Sequence, residues 1–571
     1  MTAAISSGEI RNRFDDDIPE DMWEECPQCH QLLYTKELQQ HLWVCTKCGH
    51  HFRLSAHQRM SITVDAGSFE EWDADLPLCD PLGFPEYREK LESTREKTGL
   101  QDAVVTGRAQ IAGMDVAIGV MEPGFRGGSM GYVVGERITR LIERATEERL
   151  PLIIISASGG ARMQESLVAL MQMAKTSGAT AKLAEAGMPY ISVLTDPTYG
   201  GVMASYAFLG DIIIAEPGAA MGFAGPRVID VTGMPIGEGV QTAEYQRQHG
   251  MLDLLVPRSE LRQTLATLVA WCVGESQRDE DAPSDGAALR TEPDYDAPHE
   301  ATDAWRKVEL ARHPDRPYSL DYIGEIITGF VELHGDRRFA DDGAIVGGVG
   351  WLDGRPIAVI GHQKGRQARE RSRRNFAMAR PEGYRKAMRI MRLADKIGRP
   401  IVTLIDTPGA HCLDDAEARG ISEAIASNQR DMFALRVPVV PAVIGEGGSG
   451  GAIGIGVGDR VLMMENSYYS VIAPESCAAI LWRDRSLKEE AADALKLTAE
   501  DALRLGIVDG IIGEPEGGAH ADKKAAAQLL RRGLNRVLDE LEEMDWEQLP
   551  DLRYEKFRQM GRPEGPGEDQ H

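Results

Sequence analysis

Apolar residues in this chain gather in short β-branched runs, separated by longer stretches with helical spacing. LIIIS after Pro151 and YISVL after Pro189 are brief and almost wholly apolar, which reads as buried strand. Between them, ESLVALMQMAKTSGATAKLAEAG repeats its apolar residues at three- and four-residue intervals, the stripe of an amphipathic helix. The same alternation returns in the second half of the chain. Strand, helix, strand, helix predicts α/β domains with helices packed on sheet faces.

The two halves also match in order. DAVVTGRAQIAGMDVAIGV from Asp102 corresponds to GAIVGGVGWLDGRPIAVIG from Gly343, and PLIIISASGGARMQE from Pro151 to PIVTLIDTPGAHCLDD from Pro400. MPYISVLTDPTYGGVMASYAFLGDIIIAEP from Met188 corresponds to VPVVPAVIGEGGSGGAIGIGVGDRVLMMEN from Val437. Subtraction gives 354 − 113 = 241 for Gly113 and Gly354, 400 − 151 = 249 for Pro151 and Pro400, and 450 − 200 = 250 for Gly200 and Gly450. Offsets this steady predict a duplicated domain, with a period too long for a solenoid.

Charge narrows the function classes. With 89 acidic and 63 basic residues among 571, the net charge of −26 argues against broad nucleic-acid binding, which needs clustered Lys and Arg. No apolar run approaches the ~18 residues of a membrane span. The opening MTAAISSGEIRNRFDDDIPED is acidic and lacks the apolar core of a secretory signal. Eight cysteines in so long a chain do not make a disulfide framework, so a cytoplasmic location is expected. From Glu275 to Asp303 there are ten acids, two bases and three prolines without apolar periodicity, which predicts a disordered linker. The expected organisation is a disordered acidic N-terminus over 1–21, a zinc ribbon over 22–54 and a first α/β domain over 55–274. The linker over 275–303, a second α/β domain over 304–545 and a tail over 546–571 complete it.

The ribbon is read from Cys26, Cys29, Cys45 and Cys48, two CxxC turns separated by fifteen residues. Each turn presents two thiolates to one tetrahedral ion, and the intervening residues are long enough for a hairpin. Four thiolates leave no position for water or substrate, so the zinc is structural, one per chain. His30, His41, His50 and His51 lie close by as bystanders, and Cys79, Cys272, Cys412 and Cys477 show no ligand spacing.

Candidate chemistry sits where strands end. Gly159 and Gly160 come after LIIIS, Gly200 and Gly201 after YISVLTD, and Gly409-Ala410 and Gly450-Gly451 take the matching places in the second half. Glycine lets a ligand approach backbone N–H groups closely, and a helix start beyond it adds unpaired donors. Two such turns converging make a pocket for a developing oxyanion. The alternative is that these glycines only permit tight strand–helix packing. No GxSxG elbow with its partners, no HExxH and no Walker motif is present, so the pattern suggests a site of backbone dipoles in which substrate supplies its own base.

SASGGARMQE, MQMAKTS, PYISVLTDPTYGG and GFAGPRVI, preceded by the four-cysteine ribbon, resemble the beta subunit of bacterial acetyl-CoA carboxylase carboxyltransferase. From His313, HPDRPYSLDYI, DDGAIVGG, GHQKGR, RRNFAMARPEGYRKAMR, IDTPGA and VIGEGGSGGAIGIGVGD resemble its alpha subunit. The chain therefore looks like a beta–alpha fusion, and the resemblance implies two crotonase-like domains in tandem. It also implies transfer of carboxyl from carboxybiotin, borne on a biotin carboxyl carrier protein charged by a biotin carboxylase, to acetyl-CoA. Malonyl-CoA, the first committed intermediate of fatty acid biosynthesis, is the product. Carboxybiotin releases CO2, its ureido anion takes a proton from the acetyl methyl, and the enolate attacks CO2.

On residue matching, Gly200 and Gly201 hold one oxyanion and Gly450 and Gly451 the other, with Gly159, Gly160, Gly409 and Ala410 completing the holes. Arg162, and Arg126 before Gly127 and Gly128, are candidates for a CoA phosphate. So is the basic run Lys364, Arg366, Arg369, Arg371, Arg373 and Arg374, whose alternative is a solvated helix face. The family implies a homodimer or larger oligomer with each site between halves of different protomers. Two departures stand out: His411-Cys412-Leu413-Asp414-Asp415 replaces the usual stretch after IDTPGA, and the alpha-like N-terminal helical region is shortened to about AWRKVELARHP. Alternatives still open are a longer acyl-CoA such as propionyl-CoA, and a zinc-ribbon nucleic-acid-binding protein on a decayed carboxyltransferase scaffold.

Overall fold

The apolar runs become two sheets in the structure, a computed structural model that describes residues 23–232, 235–276, 288–293 and 301–561. The acidic start over 1–21 lies outside the described residues. The chain divides into two compact units, Met1–Val273 and Gly274–His571.

Unit 1 opens with the ribbon, where β1 (Trp23–Glu25) and β2 (Leu32–Tyr34) pair antiparallel across the first CxxC turn. The residues between the CxxC pairs do not fold as a hairpin of their own: β2 runs into a short helix, Thr35–Gln40. Cys26, Leu33, Leu38, Cys45 and Phe52 form the ribbon's small core.

The sheet of unit 1 contains β3 (Glu70–Trp72), β4 (Val104–Ile111), β5 (Met114–Met121), β6 (Leu152–Ser158), β7 (Tyr190–Tyr199), β8 (Ile212–Ala215), β9 (Met221–Gly222) and β10 (Leu254–Leu255). Its order is β10-β8-β7-β6-β5-β4-β3, with β9 beside β7. From β5 to β10 every pairing is parallel. The helix Tyr132–Glu147 lays Val134, Ile138, Leu141 and Ile142 on this sheet, the three- and four-residue spacing that the sequence shows.

Unit 2 repeats the plan with β11 (Leu289–Arg290), β12 (Ile327–Glu332), β13 (Ile345–Leu352), β14 (Arg355–His362), β15 (Ile401–Thr407), β16 (Val439–Gly448), β17 (Leu462–Met464), β18 (Tyr468–Ser470) and β19 (Gly510–Ile512). The order is β11-β19-β17-β16-β15-β14-β13-β12, with β18 beside β16.

Two boundaries differ from expectation. Inside the stretch expected to be disordered, Leu289–Arg290 pairs antiparallel with β19, and Leu289 is buried in the unit 2 core; residues 277–287 and 294–300 of that stretch lie outside the described residues. The stretch read as a tail folds as the helix Leu549–Gln559. There the fully buried guanidinium of Arg553 pairs with Asp459 at 2.8 Å and donates to the carbonyls of Met432 and Leu435 at 2.6 and 2.9 Å. A polar, charged sequence hid a helix anchored by one arginine rather than by an apolar stripe.

Register corrects the repeat as well. β7 and β16, and the short helices Gly200–Met203 and Ser449–Ile453 that extend from them, correspond at an offset of 249, not 250. Gly200 therefore matches Ser449, both with left-handed φ (+55° and +50°), and Gly201 matches Gly450. The turn Arg126-Gly127-Gly128, with φ of +53°, +69° and +68°, matches Asn375-Phe376-Ala377 at the same offset, with +45°, +54° and +62°. Since the strands before it correspond at 241, unit 2 carries 249 − 241 = 8 extra residues there. The basic run Lys364–Arg374 lies in the connection after β14 that these residues lengthen.

Candidate functional site

In each unit the glycine turns collect at the carboxyl ends of neighbouring parallel strands, the edge where open α/β sheets bind ligands. In unit 1, Gly128 lies against the carbonyl of Ala157 with no room for a Cβ, and a Cβ on Gly160 would stand 3.4 Å from Gly200 Cα. In unit 2, a Cβ on Gly451 would stand 2.5 Å from the nitrogen of Ala410. The backbone turns thus touch one another directly: no Cβ fits at Gly128 or Gly451, and Gly160 has a left-handed φ of +114°.

The turns divide into scaffold and donors. Gly159 N–H donates to Gly127 O at 2.8 Å, and Gly160 N–H to Ser158 Oγ at 3.1 Å. Gly409 N–H likewise donates to Thr407 Oγ1 at 3.1 Å. These N–H groups are spent inside the fold, so the expectation that Gly159, Gly160 and Gly409 supply donors is corrected: they shape the pocket. Gly128 N–H is spent too, on Phe125 O at 2.9 Å. Gly200, Gly201, Gly450 and Gly451 lie in the first turns of their helices, where N–H groups have no intrahelical acceptor. Those helices are only four and five residues long, so local donors matter there and a macrodipole contributes little.

Arg162 does not face a ligand. Its side chain, 2% exposed, forms an ion pair with Asp102 and another with Glu165 at 3.4 Å. Tyr87 OH donates to Glu165 Oε1 at 2.5 Å, and Tyr132 N–H donates to Glu165 Oε2. The arginine also ties the turn down through its backbone, donating to Met130 O, while Met130 N–H donates to Gly160 O. Adjacency to a glycine turn indicates proximity but not direction, because the partner Asp102 lies 60 residues away.

The basic run splits in the same way. Lys364 Nζ pairs with Asp406 at 2.6 Å and Glu446 at 2.8 Å. Arg366 pairs with Asp321, and Arg374 donates to Gly343 O. Arg369, Arg371 and Arg373 are exposed. Glu446 also accepts from Arg312 and Tyr468, each at 2.7 Å. Burial alone lowers the Lys364 ammonium, but Asp406 and Glu446 outweigh it and hold it above its ordinary value. Burial raises Asp406 further than Lys364 lowers it. Glu446 is held at about 2: burial opposes its charge, and Lys364 and Arg312 prevail. The sequence shows Lys364 but not its two carboxylates.

Beside Ser449 and Gly450 opens a cavity of about 420 Å³, lined mainly by apolar side chains including Ile453, Val471, Leu495 and Leu505. In the replaced loop, His411 Nε2 pairs with Asp415 at 2.8 Å, closing the loop on itself, and His411 N–H donates to Ala379 O, tying it to the segment before the helix Pro381–Lys396.

Among the described residues the four ribbon cysteines are the one group of three or more potential metal ligands. Their sulfur atoms lie within 4.8 Å of one another, with Cys26–Cys48 at 3.6 Å and Cys29–Cys45 at 3.8 Å. Tetrahedral thiolates ~2.3 Å from a zinc ion stand ~3.8 Å apart, so the four fit a metal without rearrangement. His51 stands outside this ligand set but has a structural role. Its Nδ1 donates to Pro217 O at 3.1 Å, fixing the ribbon against β8. Arg258 completes that joint: it pairs with Glu216 at 2.9 Å and donates to the ribbon carbonyls of Leu42, Trp43 and Phe52.

No described helix is long and apolar enough to cross a membrane. Residues 277–561 match the family described as acetyl co-enzyme A carboxylase carboxyltransferase-like. Over 549 residues the chain is 46% identical to the acetyl-coenzyme A carboxylase carboxyl transferase subunits beta/alpha of Clostridium tetani, covering 95% of this chain and 94% of that one. The protein of the same name from Salinispora arenicola is 50% identical over 553 residues, covering 95% and 96%. Neither a longer acyl-CoA nor nucleic-acid binding figures in these names. In fold the chain is similar to transcarboxylase 12S, with a TM-score of 0.69 at 21% identity over 89% of this chain and 91% of that one. Two crotonase-like domains preceded by a four-cysteine ribbon, with relatives matched along nearly the whole length, place this chain in the acetyl-CoA carboxylase carboxyl transferase family, subunits beta/alpha.

Proposed function

We propose that this enzyme moves the carboxyl group of carboxybiotin, carried on a separate biotin carboxyl carrier protein, to acetyl-CoA to give malonyl-CoA. A biotin carboxylase recharges the carrier, and the working form is a homodimer or larger oligomer. The observation that carries this reading is the pair of glycine-turn sites, one per unit, built at the same strand ends with matching φ angles. Gly200 and Gly201 in unit 1 stabilise the thioester enolate of acetyl-CoA. Gly450 and Gly451 in unit 2 stabilise the ureido oxygen of biotin, whose ring and apolar chain the 420 Å³ cavity accommodates. Both oxygens gain negative charge only as the reaction proceeds, so fixed N–H donors favour the transition state over the ground state. The ureido anion removes the methyl proton, which accounts for a site without a side-chain base. With Arg162 buried, Arg126 and the exposed Arg369, Arg371 and Arg373 are the basic residues left for CoA phosphates. The ribbon holds one structural zinc.

Decarboxylation of malonyl-CoA in the presence of free biotin tests the proposal. Gly201→Val, whose side chain meets Ala161 and Met173, and Gly451→Val, which meets the Gly409-Ala410 backbone, each lose ~10²-fold or more in kcat with zinc retained. Near-normal turnover in both variants rejects the donor assignment.

A further inference from the structure

In both units the strand that ends at the donor glycines carries two residues more than its neighbour. Ser156 pairs with Leu194 but Ser158 with Thr198, and Ile405 pairs with Val443 but Thr407 with Gly447. Such a bulge bends a strand and re-aims the residues beyond it, here Gly200-Gly201 and Ser449-Gly450-Gly451.

The two bulges are filled differently. In unit 1, Thr195 and Thr198 both donate to Ser156 O, at 2.8 and 3.2 Å. At an offset of 249, Ile444 and Gly447 stand at those places in unit 2 and offer no hydroxyl. Asp406, where unit 1 has Ala157, fills the gap: its Oδ1 accepts the N–H of Glu446 at 2.9 Å and Lys364 Nζ at 2.6 Å. Lys364 then reaches Glu446 Oε1 at 2.8 Å, so one ammonium joins the ends of β14, β15 and β16. Gly445 lies so close to the Asp406 carboxylate that no Cβ fits. Past the bulge, Gly447 stays paired with Thr407 of β15 while Glu446-Gly447-Gly448 takes β18 in place of β17 on its other edge, and this segment delivers the donor glycines.

We propose that Asp406, with Lys364 as its counter-charge, is a positioning residue for the carboxybiotin side of the reaction, holding the β16 bulge so that Gly450 and Gly451 stay aimed at the ureido oxygen. The inference rests on the functional reading above. Asp406 needs no contact with substrate. Its oxygen replaces the carbonyl that a regular ladder would offer Glu446 N–H, and that donor is otherwise buried and unpaired. Each bulge residue lost slides the glycines ~3.3 Å along the strand, enough to remove a hydrogen bond. Lys364 sets its positive charge 2.6 Å from the buried Asp406 carboxylate.

The full-length enzyme tests this through steady-state malonyl-CoA decarboxylation with free biotin and hydrogen exchange of the peptide spanning 441–451. K364M/D406A removes the ion pair as a unit and with it the acceptor, and it lowers kcat about 30-fold while leaving the KM for malonyl-CoA within about twofold. K364M/D406N is equally uncharged but keeps an oxygen for Glu446 N–H, and it recovers about tenfold in kcat over the alanine version. Exchange rises at 441–451 in the alanine variant and not in the asparagine variant. Gly445→Ala displaces Asp406 without removing a charge, reproduces the kcat loss, and serves if the double variants fail to fold. Equal losses in the alanine and asparagine variants, or wild-type kcat in Gly445→Ala, overturn the proposal. If the unmodified enzyme does not turn over malonyl-CoA, the functional reading fails instead, and the exchange contrast alone decides the role of Asp406.

Discussion

His362 ends β14 fully buried, its ring against the backbone of Gly451 without closing a hydrogen bond at either nitrogen among the described residues. Burial and the nearby Lys364 ammonium push it down to about 3. The folded protein therefore keeps this imidazole neutral, whereas in the unfolded chain it titrates at its ordinary value of 6.5. As pH falls below that value only the unfolded state takes the proton, so stability falls until the folded group also titrates. The slope is ~1.4 kcal/mol per pH unit, or ~2 kcal/mol between pH 6.5 and 5. Glu446, also held low, contributes with the same sign but in a lower window: its stabilisation is present above its ordinary 4.5 and is lost only below that, outside the range tested. Denaturant unfolding at pH 7 and pH 5 is expected to show a smaller drop in His362→Gln than in the unmodified protein. An equal drop in both rejects the assignment. Nothing in GHQKGR announces a buried imidazole, because the atoms that exclude water from it come from distant segments. The direction of Arg162 is hidden for the same cause, as Asp102 sets it. Glycines are legible one by one because their chemistry is local, but which N–H groups remain available depends on Ser158 and Thr407 accepting two of them.

Elements are legible where apolar periodicity sets them and obscure where polar anchors do. Both repeats of parallel strands stand out in the β-branched runs. The helix Leu549–Gln559 and the strand Leu289–Arg290 do not, since one depends on Arg553 and Asp459 and the other on two residues of pairing. The one-residue error in the repeat has a similar origin: GEGGSGG matches TDPTYGG better at 250, where both glycines coincide, and only the strand ladder shows that the structural frame is 249. The ribbon shows what spacing gives and what it leaves out. Four cysteines predict the thiolate cluster, yet its attachment depends on Arg258, 210 positions after Cys48, which bridges Glu216 and three ribbon carbonyls. Cys26→Ala is therefore expected to lose zinc and order across the ribbon. Arg258→Ala should keep its zinc but raise hydrogen exchange over residues 42–52, with a stability loss of ~3 kcal/mol from leaving buried Glu216 to Arg59 alone. Wild-type exchange over that stretch in Arg258→Ala would show that the joint lies elsewhere.

At the scale of the molecule, duplication explains why one chain carries two sites of the same construction. Each unit closes its own sheet and buries its own core: β3 to β10 in one, β11 to β19 in the other. A polypeptide whose halves satisfy their backbone and apolar groups internally is expected to fold as two cooperative bodies. The family match to residues 277–561 alone is consistent with unit 2 standing as a module. Under the proposed function the chemistry is not divisible in the same way, because that reading assigns acyl-CoA and carboxybiotin separate sets of N–H donors. Expressed separately, 1–273 and 274–571 should each give a sigmoidal thermal transition by circular dichroism, and neither should decarboxylate malonyl-CoA with free biotin. Mixing them should restore turnover in proportion to complex formed, with half-saturation read from a titration of one half into the other. Full activity in unit 1 alone would place both oxyanions on its glycines and leave Gly450 and Gly451 without a role. If the mixture stays inactive while each half is folded, turnover requires the covalent link over the acidic stretch.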